Sequence, residues 1–117
     1  SLLDGNYSVA ITSAGLTDVR TNEVVTLTDI NTFRTRYVGR YTLGSFSPAG
    51  YTFIDICDEI SLPKNQTLGG YSNKVYGTSF YGDGIDGIVT SETTFEVVHN
   101  IAFASGDQKQ TYLYTRL

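Results

Sequence analysis

The sequence predicts an all-β protein. We expect a single antiparallel β-sandwich, with a small lipocalin-like β-barrel as the alternative. Apolar residues recur with a period of two in many segments, and no segment sustains the period of a helix. Turn-forming residues separate about eight such segments at the spacing typical of a sandwich or a barrel. Because both architectures place alternate residues inside, the pattern leaves the choice between them open. The 117 residues suit one domain that covers 1–117.

The first half of the chain contains three predicted strands. Tyr7, Val9 and Ile11 alternate with polar residues and give the first strand, and residues 23–28 (EVVTLT) give the second. Residues 32–41 (TFRTRYVGRY) give the third, with the pattern of an antiparallel strand covered on one side. One face of it carries Phe33, Thr35, Tyr37, Gly39 and Tyr41. The other face carries a stripe of arginines, Arg34, Arg36 and Arg40.

Residues 51–62 (YTFIDICDEISL) set three carboxylates beside the only cysteine of the chain. Alternation assigns Ile54 and Ile56 to the core, so Asp55 faces outward or sits at a strand crossing where backbone N–H groups bind it. The other two acids, Asp58 and Glu59, are adjacent in the sequence, and adjacent residues in one strand point to opposite faces. They are therefore not expected to form the carboxylate pair that a retaining glycosidase needs. We expect the whole cluster to be structural or solvated.

Four further strands are predicted in the second half, at residues 71–77, 88–91, 94–104 and 109–116. A hairpin turn signal separates the last two. His99 lies in the apolar register of its strand, so we expect a buried histidine with satisfied hydrogen bonds. A nucleophilic pair of Cys57 with His99 is much less favoured, because no third group is indicated to orient the imidazole.

The stretch GDGIDG at residues 82–87 contains two weak candidates for metal ligands, Asp83 and Asp86. The alternate ligand positions and closing glutamate of an EF-hand loop are missing. Glycines also supply positive φ angles to tight turns at little cost. We therefore favour a hairpin loop over a cation site.

Two groups of residues are candidates for binding. The stripe of Arg34, Arg36 and Arg40 suits an anionic glycan, a phosphate or a protein partner, although a solvated face paired with nearby acids is the simpler interpretation. Aromatic rings beside glycine-rich turns suit protein or sugar surfaces, or else cap the end of the β core. These aromatic candidates are Tyr71, Tyr76, Phe80 and Tyr81.

Composition argues against several classes of function. The net charge of −4 is unlike the broad basic surface of a nucleic-acid-binding protein, so we expect no nucleic-acid partner. No apolar run approaches the roughly 18 residues of a membrane-spanning helix. One cysteine excludes an internal disulfide and any multi-cysteine metal site. No motif requires a cofactor and no catalytic constellation is convincing, so we expect neither a cofactor nor an enzyme.

Three segments carry a resemblance to a known kind of protein. They are YTFIDICDE (51–59), GGYSNKVYG (69–77) and TTFEVVHNIAFASGDQKQTYLYTR (93–116). An aromatic strand ending in Asp, a Gly-Gly-Tyr segment and a last hairpin closing in Tyr-x-Tyr-Thr-Arg together resemble the β-rich modules of Bacteroidetes surface lipoproteins found near glycan-uptake systems. The resemblance implies a secreted or cell-surface module of outer-membrane lipoprotein type, with a lipid anchor outside this chain. It carries over no catalytic residues.

We therefore expect a non-enzymatic extracellular or cell-surface accessory module that binds a protein partner or a glycan. The alternative is a lipocalin-like carrier of a small apolar ligand, in which Tyr37, Phe95 and Phe103 would line a cavity. A hydrolase that pairs Asp55 with a carboxylate on a neighbouring strand is the least favoured function.

Overall fold

The computed structural model describes residues 2–40, 48–78 and 84–117, and no described residue lies in a helix. The described residues accordingly contain no helix that could cross a membrane. They form ten β-strands: β1 Gly5–Ser13, β2 Leu16–Asp29, β3 Thr32–Arg34, β4 Thr52–Ile56, β5 Glu59–Ser61, β6 Gln66–Thr67, β7 Lys74–Tyr76, β8 Gly87–Val89, β9 Thr94–Phe103 and β10 Gly106–Arg116.

Eight of these strands close into an antiparallel barrel. Its order is β1-β2-β3-β4-β5-β8-β9-β10, and β10 pairs with both β9 and β1, which joins the two ends of the sheet. The strands β7 and β6 continue from β9 beyond the part of it that pairs with β8. The all-β prediction is therefore confirmed. The sandwich prediction is wrong, and the observed architecture is the barrel that was the alternative. The two could not be told apart beforehand because barrel closure depends on pairing between strands that are distant in the sequence, and alternation does not report pairing.

The predicted strand over residues 32–41 is wrong in extent, because β3 ends at Arg34. The hydroxyl of Thr35 accepts a hydrogen bond from the Tyr51 N–H (3.0 Å) and donates one to the Tyr37 carbonyl (2.9 Å). The bond to the Tyr37 carbonyl is local and competes with continuation of the sheet ladder beyond Thr35. The alternation of faces holds from Phe33 to Tyr37 and fails at Val38, which was placed on the arginine face but is buried between Tyr37 and Gly39. Tyr41 lies outside the described residues.

Two tight hairpins use consecutive residues with positive φ. Ala14 (φ 51°) and Gly15 (φ 77°) connect β1 to β2, and Cys57 (φ 53°) and Asp58 (φ 69°) connect β4 to β5. Two-residue loops of this kind match the right-handed twist of the strands they join. The acidic cluster around Cys57 is therefore the turn of a β-hairpin.

Aromatic side chains fill the interior of the barrel. The ring of Phe95 stacks on that of Tyr114 with centroids 4.3 Å apart, and Tyr7 meets Phe95 edge-on at 5.2 Å. A second stack joins Phe33 and Phe53 at 5.4 Å. Contacts of this geometry add to the free energy gained by burying the rings. The fully buried aromatic residues of the core are Tyr7, Phe33, Tyr51, Phe53, Phe95, Tyr112 and Tyr114.

The predicted orientation of β4 is wrong. Phe53 and Asp55 point inward, Ile54 is half-buried, and Ile56 is 60% exposed. Both faces of this five-residue strand carry strand-forming apolar residues, so alternation alone could not choose between them. The stack of Phe53 on Phe33 across the β3–β4 pair settles the choice.

Candidate functional site

A hydrogen-bonded chain of polar groups lies inside the aromatic core. The Gly39 N–H donates to the hydroxyl of Tyr112 (2.6 Å), and this hydroxyl lies 2.6 Å from Nε2 of His99. Nδ1 of His99 faces the Asn100 carbonyl at 3.3 Å, and a carbonyl oxygen can only accept, so the imidazole proton lies on Nδ1 and Nε2 accepts the proton of the Tyr112 hydroxyl. Burial lowers the pKa of His99 to about 4, so the imidazole is neutral. The prediction of a satisfied core histidine is confirmed.

Cys57 and His99 occupy different environments. The thiol is exposed in the β4–β5 turn, whereas His99 is buried and both of its ring nitrogens face partners inside the protein. A cysteine nucleophile needs a base within hydrogen-bond reach. His99 therefore has no nitrogen available to the thiol in this arrangement.

Asp55 is buried near one end of the barrel. The residue opposite it on β5 is Ile60, which is apolar, so this pairing supplies no second carboxylate. The carboxylate receives a hydrogen bond from the Asp58 backbone N–H, and its Oδ1 has no partner. Burial raises the pKa of Asp55. The described strand pairing thus places no carboxylate directly opposite Asp55, and the acid whose charge also raises its pKa is Asp58 in the adjoining turn. The hydrolase hypothesis stays a prediction.

Asp86 ties three segments of the chain together. Its Oδ2 accepts the Leu62 N–H (2.7 Å) and its Oδ1 accepts the Thr78 N–H (2.5 Å). Gly77 packs so closely that a Cβ there would overlap the carboxylate. Among the described residues, no three His, Cys, Asp or Glu side chains are grouped as a metal site would require. The other candidate metal ligand, Asp83, lies outside the described residues.

Glu23 is a buried carboxylate that the sequence analysis missed. Its Oε1 accepts the N–H groups of Val24 (2.8 Å) and Arg36 (2.7 Å), and its Oε2 accepts that of Tyr37 (3.2 Å). Burial raises the pKa of Glu23 to about 7, against the opposing effect of these three donors. Its position two residues before the buried Val25, in the apolar register of β2, was the available signal. Glu23 anchors the segment that follows β3 to the barrel wall.

The three arginines of the stripe bond to the protein itself. Arg34 donates to the carbonyls of Ala49 (2.9 Å) and Gly50 (3.1 Å). Arg36 donates to the Asn22 carbonyl at 3.1 Å. Arg40 donates to the Ser13 hydroxyl at 2.9 Å and pairs with Asp18 at 3.4 Å. These contacts hold the loops around β3, and the role of the stripe in binding stays a prediction.

The structure describes two of the four predicted aromatic binding residues. Tyr71 is 57% exposed, and the hydroxyl of Tyr76 donates a hydrogen bond to Asp107. Phe80 and Tyr81 lie outside the described residues. Their role in binding also stays a prediction.

An outward-facing row of side chains crosses five neighbouring strands and was also missed. Each member is the direct cross-strand partner of the next, and all five side chains are exposed. Apolar and acidic residues alternate along it. This set, called the outer row below, consists of Ile56, Glu59, Ile88, Glu96 and Leu113. Strand order is needed to recognise it, and the sequence alone does not provide strand order.

Within residues 2–40, 48–78 and 84–117, neither acid of the outer row has an ionic partner. The ion pairs among the described residues join Arg20 and Arg40 to Asp18, and none of these three residues belongs to a strand that carries the outer row. Four of the five strands of the row, β4, β5, β8 and β9, contain no lysine or arginine. The fifth, β10, contains Lys109 and Arg116, and neither forms an ion pair with Glu59 or Glu96. The carboxylates of Glu59 and Glu96 therefore stand beside exposed aliphatic side chains without compensation by a cation.

By its fold, the described part of the chain belongs to the closed eight-stranded antiparallel barrels, and its own aromatic side chains fill the interior. No protein-family model, curated protein or solved structure matches the chain.

Proposed function

We propose that this chain is a non-enzymatic accessory module that acts outside the cell or at its surface and binds a partner protein through the outer wall of the barrel. The observation that carries the proposal is the filled interior. With the rings of Phe95, Tyr114 and Tyr7 in mutual contact, the outer wall is the surface on which a partner can be recognised.

Several features of the wall support a protein partner. The exposed aliphatic side chains of Ile56, Ile88 and Leu113 offer apolar area that water solvates poorly. Exposed apolar groups rimmed by polar residues mark interaction sites on soluble domains. The extracellular location is supported by the resemblance to Bacteroidetes surface modules, which also suggests a glycan as the other class of partner.

The carrier alternative shares the barrel but needs a cavity. Tyr37 and Phe95, which would line it, are both buried in the aromatic core, and Phe103 packs against that core from its edge. Barrels of eight strands have an interior just wide enough for side chains to fill or for one small ligand. Here the rings take that space, which favours the outer wall over the interior as the binding surface.

A photo-crosslinking experiment in cells of the source organism tests the proposal. The crosslinking residue p-benzoylphenylalanine replaces exposed Leu113 on the wall, or buried Phe95 in a control. We expect a discrete protein adduct from position 113 and none from position 95. Native mass spectrometry and a glycan array are run in parallel. A small molecule or a glycan that co-purifies or binds, with no protein adduct from the wall, would overturn the proposal.

A further inference from the structure

We infer that the outer row docks an amphipathic, positively charged helix of the partner protein, a conclusion that rests on the function proposed above. The row presents the order apolar–acidic–apolar–acidic–apolar across five strands of one sheet. A complementary segment must therefore alternate cationic and apolar contacts at the spacing of the strands.

The spacing of the row matches a helix. Adjacent strands lie about 4.8 Å apart, so Glu59 and Glu96, which are two strands apart, are separated by about 10 Å. Residues i, i+3 or i+4, and i+7 share one face of a helix, and at a rise of about 1.5 Å per residue they fall about 5 Å and 10 Å along its axis. A helix laid across β5, β8 and β9 thus places one side chain over each of these three strands, and the curvature of the barrel turns the two outer members of the row away from its axis.

The register of the two surfaces follows from this match. Lysine or arginine at positions i and i+7 would meet Glu59 and Glu96, and a leucine-sized residue at i+3 or i+4 would pack on Ile88. The side chain of Ile85 is 62% exposed and lines two surface recesses next to the outer row. One recess is also lined by Ile56 and Glu59, and the other by Ile88 and Glu96. Ile85 therefore widens the apolar area available to the helix.

Charge selects a cationic partner over a second copy of this chain. Two copies that met through the same row would bring their unpaired carboxylates together, and like charges across an interface are unfavourable. The whole chain carries a net charge of −4, which opposes self-association further. A cationic helix instead neutralises both glutamates.

A designed peptide tests the inference. It is a stapled helix with Lys at i and i+7 and Leu at i+3 and i+4, and the control peptide has the same composition with both Lys on the opposite face. Fluorescence anisotropy measures binding to the whole protein. We expect about tenfold tighter binding of the patterned peptide, and a loss of affinity as salt rises, because exposed ion pairs are screened.

Matched variants of the protein locate the site. The double change Glu59→Gln and Glu96→Gln should weaken binding about five- to tenfold, the range expected for two exposed ion pairs, and Ile88→Thr should weaken it several-fold. The controls Glu92→Gln and Ile30→Thr alter an exposed acid and an exposed isoleucine outside the row, and they should leave affinity unchanged. All of these sites are exposed, and circular dichroism verifies folding.

Two results would overturn the inference. One is equal affinity for both peptides, and the other is equal loss of affinity in the row variants and in the controls. If the crosslinking experiment then still finds a protein adduct on the barrel wall, the proposed function stands and only the row or its partner chemistry is wrong. If neither experiment detects a protein contact, the proposed function fails as well.

Discussion

Glu23 and His99 should make opposite contributions to the pH dependence of stability, and single substitutions should reveal each of them. The pKa of Glu23 is raised from its ordinary 4.5 to about 7, because burial disfavours its charge. The pKa of His99 is lowered from 6.5 to about 4, because burial disfavours the imidazolium. Both groups are buried, so the pKa differences between folded and unfolded chain act on the free energy of unfolding.

The signs follow from which state holds the proton more tightly. The folded protein holds the Glu23 proton more tightly than the unfolded chain. The contribution of Glu23 to the free energy of unfolding is therefore fully present below pH 4.5 and is lost as pH rises through 7. The unfolded chain holds the His99 proton more tightly, so this contribution is full above pH 6.5 and is lost as pH falls through 4. Each amounts to about 3 kcal/mol at about 1.4 kcal/mol per pH unit. Between pH 4.5 and 6.5 the two slopes nearly cancel in the wild type.

Urea denaturation from pH 4 to 7.5, followed by tyrosine circular dichroism, separates the two slopes. In Glu23→Gln the His99 slope remains, and stability should fall by about 3 kcal/mol from pH 6.5 to 4, relative to wild type. In His99→Gln the Glu23 slope remains, and stability should fall by a similar amount from pH 4.5 to 7. Lost hydrogen bonds lower each curve by about 1–3 kcal/mol at every pH. Asp55, whose pKa burial also raises, contributes equally to all three proteins.

Parallel curves for Glu23→Gln and wild type would refute this reasoning, since they would mean that Glu23 does not exchange a proton between pH 4.5 and 7 on unfolding. The exposed-site variant Glu92→Gln serves as the control and should follow the wild-type curve. An inverted sign for either variant would refute the assignment of that group.

Three further substitutions test the packing and the turns. Gly77→Ala places a Cβ against the Asp86 carboxylate and should lower the free energy of unfolding by about 1–3 kcal/mol, measured by urea denaturation; an unchanged midpoint would contradict the close approach. Phe95→Leu opens the aromatic stack with Tyr114 and should cost about 1–3 kcal/mol, with loss of near-ultraviolet tyrosine ellipticity; retention of both would show that the core is not packed as described. Cys57→Asn puts a residue that tolerates positive φ into the β4–β5 turn. It should raise the free energy of unfolding by up to about 1 kcal/mol, which is measured as a slightly higher melting temperature; a lower melting temperature would argue against this turn geometry.

The sequence predicted best where pairing is local. The strands at residues 94–104 and 109–116 and the turn between them correspond to β9 and β10, which form an antiparallel hairpin. A short loop fixes the register of such a pair, and His99 then falls on the inner face with Val97 and Ile101. The prediction of a core histidine follows from this local register alone.

Prediction failed where a distant contact decides the outcome. Barrel closure depends on the pairing of β1 with β10, whose partners lie about a hundred positions apart, as in Tyr7 with Arg116. The course of the chain just after β3 depends on Thr35, whose hydroxyl accepts the N–H of Tyr51, a residue 16 positions away. Neither contact leaves a trace in the alternation of nearby residues, because alternation reports faces and not partners.

The wrong assignment of β4 also explains why the outer row could not be predicted. Successive side chains of a strand point to opposite faces, so placing Phe53 inside forces Ile56 outside. A shift of one residue would bury Ile56, expose Phe53 and remove the first member of the outer row. The stack of Phe53 on Phe33 therefore fixes the core and sets the pattern of the outer wall at the same time. A substitution that weakens this stack, such as Phe33→Ala, should disturb the alignment of Ile56 with Glu59 and reduce binding of the patterned peptide even though residue 33 is buried.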